Sequence, residues 1–274
     1  MQITPSTRIV LTGAPGGLGS YLVGALAPLR PRMLLVSSPG VSLVETRDKA
    51  RQLGAEAHEL IADLRTDEGI QNTTETAFEK LGGIDLLINN AGIEFTAPYH
   101  ELTEQQMLDV MNVNLIAAMR LTHRFIPSML QQGSGRIINM SSLAGRLPPA
   151  CQEPYAASKA GLVAFTSSLR ATYAGTGISA NVICPGFVEA GIYKRLREQT
   201  GITAPLTLGT SQPETVAAAL LRIIESDAPE VIVNSLPMRP LLLLQQAFPK
   251  LYEKVGELSG GHAFFKRIAQ KLKS

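Results

Sequence analysis

Short runs of Ile, Val and Leu recur along the whole chain with longer amphipathic stretches between them, and no other property of the sequence limits the fold as strongly. The runs 8–11, 33–36, 59–62, 85–89, 136–140, 179–183 and 230–233 have strand length, and most are apolar throughout rather than alternating. Strands of that kind are covered on both faces, as in a parallel sheet held between two layers of helices. The stretches 17–29, 42–53, 66–81, 104–131, 155–174 and 213–226 carry the wider apolar spacing of helices. Strand and helix in regular alternation predict a doubly wound α/β fold around a parallel sheet of seven strands. Ligands of such sheets collect beyond the carboxyl ends of the strands, so the chemistry of the chain is sought there.

Two stretches break the alternation. Residues 187–212 are rich in glycine, proline and threonine and long for a connector, which predicts a lid over a site. Residues 237–274 follow the last strand and contain four consecutive leucines, Leu241 to Leu244, and later Lys266, Arg267, Lys271 and Lys273. Two readings of this extension stay open. One is a helical appendage packed on the body or on another subunit, and the other is a helix lying on a membrane surface. The expected organisation is one domain with sheet and site in residues 1–236, followed by the extension 237–274.

Composition removes several classes of function. With 45% apolar and 18% charged residues the chain supports a core and is not disordered. A net charge of +2 provides no general field for a polyanion, which argues against a nucleic-acid partner. Cys151 and Cys184 form neither a disulfide framework nor a metal pair, and they fit a reducing compartment. His58, His100, His123 and His262 lack zinc spacing, so no metal is expected. The first residues show no signal-peptide pattern and no apolar run reaches the roughly 18 residues of a bilayer span. A cytoplasmic location is therefore the expectation.

Directly after the first strand, Thr12-Gly13-Ala14-Pro15-Gly16-Gly17-Leu18-Gly19 opens a helix. Glycines there let the backbone turn tightly and let a pyrophosphate approach the N–H groups at the helix start. Asp63 ends the third strand and Asn89-Asn90-Ala91-Gly92 the fourth, where such residues either cap turns or meet a ligand. Tyr155 and Lys159 stand four apart at the start of a helix and project from one face. A phenol with a pKa of roughly 10 is a poor base at neutral pH, and a fixed ammonium corrects this by stabilising the phenolate. Run backward, the same pair makes Tyr155 a general acid toward an oxygen that gains negative charge. Of six tyrosines only Tyr155 has a lysine at this spacing, and Ser142, thirteen residues upstream, is set to hydrogen-bond the same oxygen.

In this combination the sequence resembles the short-chain dehydrogenase/reductase family over residues 6–235, through TGxxxGxG at Thr12 to Gly19, Asp63, NNAG at Asn89 to Gly92, Asn114, Ser142, YxxxK and Pro185-Gly186. The resemblance implies a Rossmann-type domain that holds a nicotinamide cofactor and moves a hydride to or from a carbonyl or alcohol carbon. It implies Tyr155 as acid/base and Ser142 as partner of the substrate oxygen. Lys159 would bind the nicotinamide ribose and lower the tyrosine pKa, and Asn114 would hold a water that links Lys159 to solvent. The cofactor residues implied are Thr12, Gly13, Gly17, Leu18, Gly19, Ser37, Ser38, Asp63, Leu64, Asn90, Ala91, Gly92, Tyr155, Lys159, Pro185, Gly186 and Val188.

Two departures from the family pattern stand out. Ala190 replaces the threonine that usually contacts the carboxamide, leaving backbone at Val188 for that contact, and Pro15 removes an N–H from the glycine turn. At the end of the second strand, Ser37-Ser38 offers hydroxyls and no carboxylate, which favours NADP over NAD, although the arginine common among NADP users is missing. Leu143, Leu147, Pro148, Pro149, Phe95, Phe187 and Tyr193 predict an apolar small-molecule substrate, a hydrophobic ketone or secondary alcohol, with Glu94, Arg146 and Glu153 as polar handles. The resemblance also implies a homodimer or homotetramer through the helices 104–131 and 155–174. The competing function is a cofactor-binding regulator or scaffold with little catalysis, and the absence of a GxSxG elbow argues against a hydrolase.

Overall fold

A computed structural model describes residues 1–273, so the last residue of the extension lies outside the described residues. The chain begins β1 (Arg8–Thr12), α1 (Gly19–Leu26), β2 (Arg32–Ser37), α2 (Val44–Gln52), β3 (Glu56–Ile61), α3 (Asp67–Leu81) and β4 (Leu86–Asn89). It continues through α4 (Glu104–Met111), α5 (Ala117–Gln132), β5 (Gly135–Met140), α6 (Glu153–Thr172) and β6 (Ile178–Pro185). After β7 (Phe187–Val188), α7 (Gly191–Thr200), β8 (Thr210–Ser211), α8 (Pro213–Ser226) and β9 (Glu230–Val233) come α9 (Arg239–Ala247), α10 (Pro249–Leu258) and α11 (Gly261–Lys271).

Seven strands form one sheet in the order β3-β2-β1-β4-β5-β6-β9, with every neighbouring pair parallel. This is the doubly wound, Rossmann-type arrangement the alternation predicts. Ile9 and Leu11 pack with α1 and α8 on one face, while Val10 between them packs with α3 and α5 on the other. All three side chains are fully buried, which is why β1 reads as an unbroken apolar run. β3 is the exception. As an edge strand it buries only Ala57 and carries Glu56, His58 and Glu59, so its start lies three residues before the apolar run that marks it in the sequence.

Two features go beyond the sequence reading, and a third agrees with it. The helix expected over 104–131 is interrupted by a π turn at Asn112–Ile116, a one-residue widening that leaves the apolar spacing on either side intact. The lid is not an irregular flap, because α7 and the β7–β8 pair give it its own structure. Its buried Tyr193 and Leu196 pack with Phe264, Phe265 and Ile268 of α11. The extension is helical, as the sequence predicts, and among the described residues no helix is long and apolar enough to cross a membrane.

Buried polar contacts fix α6 against the sheet. Asn89 donates to Asn139 across the β4–β5 pair at 2.8 Å, and Asn139 donates to Thr166 of α6 at 2.8 Å. Near the carboxyl ends of the strands, Ser141 donates to the Lys159 carbonyl at 2.8 Å. A Cβ on Gly145 would come within 2.6 Å of the same backbone, so the turn after β5 lies directly on α6. These contacts set the first turns of α6 beside Ser142.

Candidate active site

A cavity of about 960 Å³ opens at the carboxyl ends of the strands, running from the turn after β1 to the helices of the extension. The strand order reverses between β1 and β4, and the cavity lies at that switch point. Most of the implied cofactor residues line it: Gly13, Gly17, Leu18, Ser37, Ser38, Asp63, Leu64, Asn90, Ala91, Gly92, Tyr155, Lys159, Pro185, Gly186 and Val188. Thr12 and Gly19 do not line it. The Thr12 hydroxyl accepts from the N–H groups of Asn90 and Ala91 at 3.0 and 3.1 Å, tying β1 to the turn after β4. Gly19 stands where a Cβ would overlap the Gly13 carbonyl oxygen, so glycine is required there for the turn to close on α1.

The glycine turn fits a dinucleotide. The N–H groups of Gly16, Gly17 and Leu18 meet no acceptor among the described residues, and they border the cavity at the start of α1. A Cβ at Gly16 would project into open space. Gly13 takes φ +66°, and a Cβ on it would lie 2.8 Å from the Ala91 backbone. Gly17, at φ +36°, faces Gly191 at the start of the lid helix, where an added Cβ would be 2.5 Å from the Gly191 Cα. The lid thus rests on the glycine turn through bare backbone.

Ser37 and Ser38 face the other end of the groove, and the Ser37 hydroxyl donates to the Val41 carbonyl at 3.1 Å. No carboxylate extends from β2 here. Asp63 is paired with Arg65 at 2.7 Å, and this hydrogen-bonded guanidinium holds its carboxyl below the usual range. Arg65 lines the cavity as well, a residue the sequence reading passed over, yet Asp63 and Asp109 occupy its guanidinium.

At the inner end Tyr155, Ser142 and Lys159 come together. Burial pushes the Tyr155 phenol up to about 12, partly countered by its hydrogen bond with Ser142 and reinforced by the charge of Glu94. The Lys159 ammonium lies 5.8 Å from the phenol ring centre and donates to the Met140 carbonyl at 2.9 Å. Its burial lowers it to about 8. Asn114 sits in the π turn behind this cluster. Its amide oxygen accepts from the Ile93 N–H at 2.8 Å, and its amide nitrogen donates to the Ile93 carbonyl and to the Ser158 hydroxyl, at 2.9 and 3.0 Å. The side chain makes no direct bond to Lys159, and Asn114 borders a small neighbouring void rather than the main cavity.

The far side of the cavity is apolar, with Leu143, Leu147, Pro148, Pro149, Phe187 and Tyr193 as expected, whereas Phe95, expected with them, does not line it. The polar handles differ from the expected ones. Arg146 pairs with Glu230, and the Glu153 carboxylate accepts from the Cys151 N–H, so neither faces the cavity. Glu94 is buried behind Gln152, which is the residue that lines the wall. The Gln152 amide nitrogen donates to Glu94 at 3.1 Å and Thr96 at 2.8 Å, leaving its carbonyl oxygen for the cavity. Arg195 of the lid reaches the same carboxylate at 3.5 Å. Leu241, Tyr252, Val255, His262 and Phe265 of the extension complete the wall. The amphipathic spacing of the extension was the available signal, but it does not say which face meets the body.

A phosphate-binding corner that opens onto a buried phenol, hydroxyl and ammonium is suited to moving a hydride and a proton at one carbon–oxygen group, and the class of protein is that of the NAD(P)-dependent oxidoreductases. The model of the short chain dehydrogenase family matches residues 7–201. Ketoacyl reductase HetN of Nostoc sp. is 36% identical over 259 residues, spanning 94% of this chain and 87% of that protein. Mouse estradiol 17-beta-dehydrogenase 11 is 28% identical, covering 90% of this chain and 81% of its own. A crystal structure of an actinorhodin polyketide ketoreductase variant with NADPH superposes with a TM-score of 0.78 at 29% identity, covering 85% of this chain and 98% of that one. The chain belongs to the short chain dehydrogenase family.

Proposed function

We propose that the protein reduces an apolar ketone with NADPH, Tyr155 delivering the proton. The observation that carries this reading is the buried phenol, high in pKa and beside Ser142, at the junction of a dinucleotide groove and an apolar pocket. When bound, the nicotinamide supplies the hydride. A phenol held at about 12 keeps its proton at neutral pH and is therefore poised to give it to an oxygen that becomes an alkoxide. Ser142 donates to that oxygen and fixes it near the phenol. Lys159, as ammonium, stabilises the phenolate left behind and binds the nicotinamide ribose, with Asn114 holding the water through which the proton is replaced.

Gly13, Gly17 and Leu18 would hold the pyrophosphate, Asp63 and Leu64 the adenine end, and Asn90, Ala91, Gly92, Pro185, Gly186 and Val188 the nicotinamide end. Ser37 and Ser38, with no carboxylate at the end of β2 to repel a 2′-phosphate, support NADP over NAD. The similarity to a ketoacyl reductase, HetN, and to the actinorhodin polyketide ketoreductase supports a keto group as the target. Leu108, Ile116 and Met119 are exposed along α4, the π turn and α5, which supports a homodimer through that face, to be counted by light scattering. The test of function is NADPH consumption with a panel of ketones and 3-ketoacyl thioesters, with NADH alongside. Turnover of apolar ketones is the expected result. Tight NADPH binding without turnover of any member would replace the reading with a cofactor-binding regulator.

A further inference from the structure

The helices of the extension have two working faces. Inward, Leu241, Tyr252, Val255 and Phe265 wall the cavity. Outward, Leu243 is 66% exposed, Phe248 63%, Leu251 51% and Leu258 89%. Leu251 and Leu258 are seven apart and so lie on one line along α10, with Phe248 a turn before Leu251. Leu206 of the lid is 96% exposed, and the bond from Thr207 to the Ser259 carbonyl at 2.9 Å sets it beside the end of α10. Large apolar side chains that protrude from one corner in this way do not stabilise the folded chain in water.

Charge indicates what covers them. Residues 237–274 hold seven of the chain's 25 Lys and Arg but only two of its 23 Asp and Glu, a local excess of five positive charges on a chain whose other residues are net negative. Among the described residues, Arg239, Lys250, Lys254, Lys266 and Arg267 enter no ion pair. On α10, Lys254 and Lys250 flank the Leu251–Leu258 line, with Glu257 beyond Lys250 and Glu253 on the far side. Protruding leucines with lysines along their flank are the composition of a helix that lies in the headgroup layer of an anionic bilayer.

We infer that the corner formed by α9, α10 and Leu206 seats on an anionic lipid surface, and that the carbonyl substrate reaches the cavity from that surface between the helices of the extension. The second half of this inference rests on the proposed reductase reading, whereas the first half stands on the exposed face and its charge alone.

The test uses the full chain sedimented with phosphatidylcholine vesicles with and without phosphatidylglycerol. Binding to the phosphatidylglycerol vesicles, weakened by salt, is expected. Leu251→Glu with Leu258→Glu should reduce it by more than about tenfold. Lys250→Gln with Lys254→Gln should reduce it by about fivefold for each charge removed. All four side chains lie outside the cavity wall, so turnover of a short water-soluble ketone should be retained, while turnover of a long-chain ketone dissolved in the vesicles falls with binding. Wild-type chain that stays in the supernatant, or leucine variants that bind as wild type does, overturns the inference, as does capture by an acidic protein in place of vesicles. Vesicle binding without reduction of either ketone leaves the lipid surface standing and removes the reductase reading. Reduction of both ketones without vesicle binding does the reverse.

Discussion

Lys159 is the residue at which the demands of chemistry and of folding oppose each other, and Lys159→Met measures the conflict. Methionine is likewise unbranched, one atom shorter, fills most of the same buried space and carries no charge. In the folded cofactor-free protein the ammonium titrates at about 8, against 10.5 for an ordinary lysine, because burial disfavours the charged form. Between those two pH values the unfolded chain binds more protons than the folded one, so the wild type gains stability as pH rises through this window. The gain is near zero at pH 7, about 1.4 kcal/mol at about pH 9, and about 3 kcal/mol once both states are neutral. The variant has no such group and no such gain. It also loses the bond to the Met140 carbonyl, a deficit that does not change with pH. Urea unfolding of both proteins followed by circular dichroism at several pH values from about 7 to 9 gives the difference directly, with contributions of other groups cancelling. A wild-type advantage that grows by about a factor of ten in the unfolding constant is expected. A difference that stays flat across the range would refute the claim that a buried, desolvated ammonium stands beside the phenol.

Four further outcomes are expected. Tyr155→Phe should lower ketone turnover by about two to four orders of magnitude while leaving the NADPH dissociation constant, read by cofactor fluorescence, nearly unchanged. Gly17→Ala places a methyl group 2.5 Å from the Gly191 Cα and should weaken NADPH binding about five- to thirtyfold, by about 1–2 kcal/mol, with the circular dichroism spectrum preserved. Ser38→Asp puts a carboxylate at the end of β2 and should shift the ratio of kcat/KM for NADPH over NADH downward by about tenfold or more. Gln152→Leu removes the acceptor on the cavity wall, so KM should rise for ketones that bear a hydroxyl or amide N–H and stay unchanged for plain ones, at constant NADPH affinity. Equal effects on both ketone types would show that Gln152 only supports the wall.

What the sequence makes legible is what is written locally. The glycine turn, the Tyr155–Lys159 spacing and the apolar strands all depend on neighbours within about two helical turns or on burial of a whole run. The π turn around Asn114 is silent because a single extra residue per turn leaves the apolar pattern of both flanking helices in place. Thr12 and Gly19 belong to the fingerprint yet support the turn from behind, and composition alone does not separate a residue that shapes a binding loop from one that touches the ligand. Arg146 meets Glu230 across 84 residues, so a side chain that reads as a polar handle near the site is committed to an ion pair elsewhere. The same distance problem hides Gln152 behind Glu94 in the reading and puts the inner faces of α10 and α11 out of reach until the chain is folded.

The polar rung from Asn89 through Asn139 to Thr166 acts as a lock on alignment. A slip of β5 by one residue against β4 would turn the Asn139 amide to the opposite face of the sheet and strand the Asn89 and Asn139 amides at about 1–3 kcal/mol each. Apolar neighbours on either side, being interchangeable, would tolerate such a shift far better. The rung therefore discriminates between near-isoenergetic pairings, and since Thr166 lies on the helix that also carries Tyr155, the reactive phenol inherits its height above the sheet from a hydrogen-bonded key three turns away.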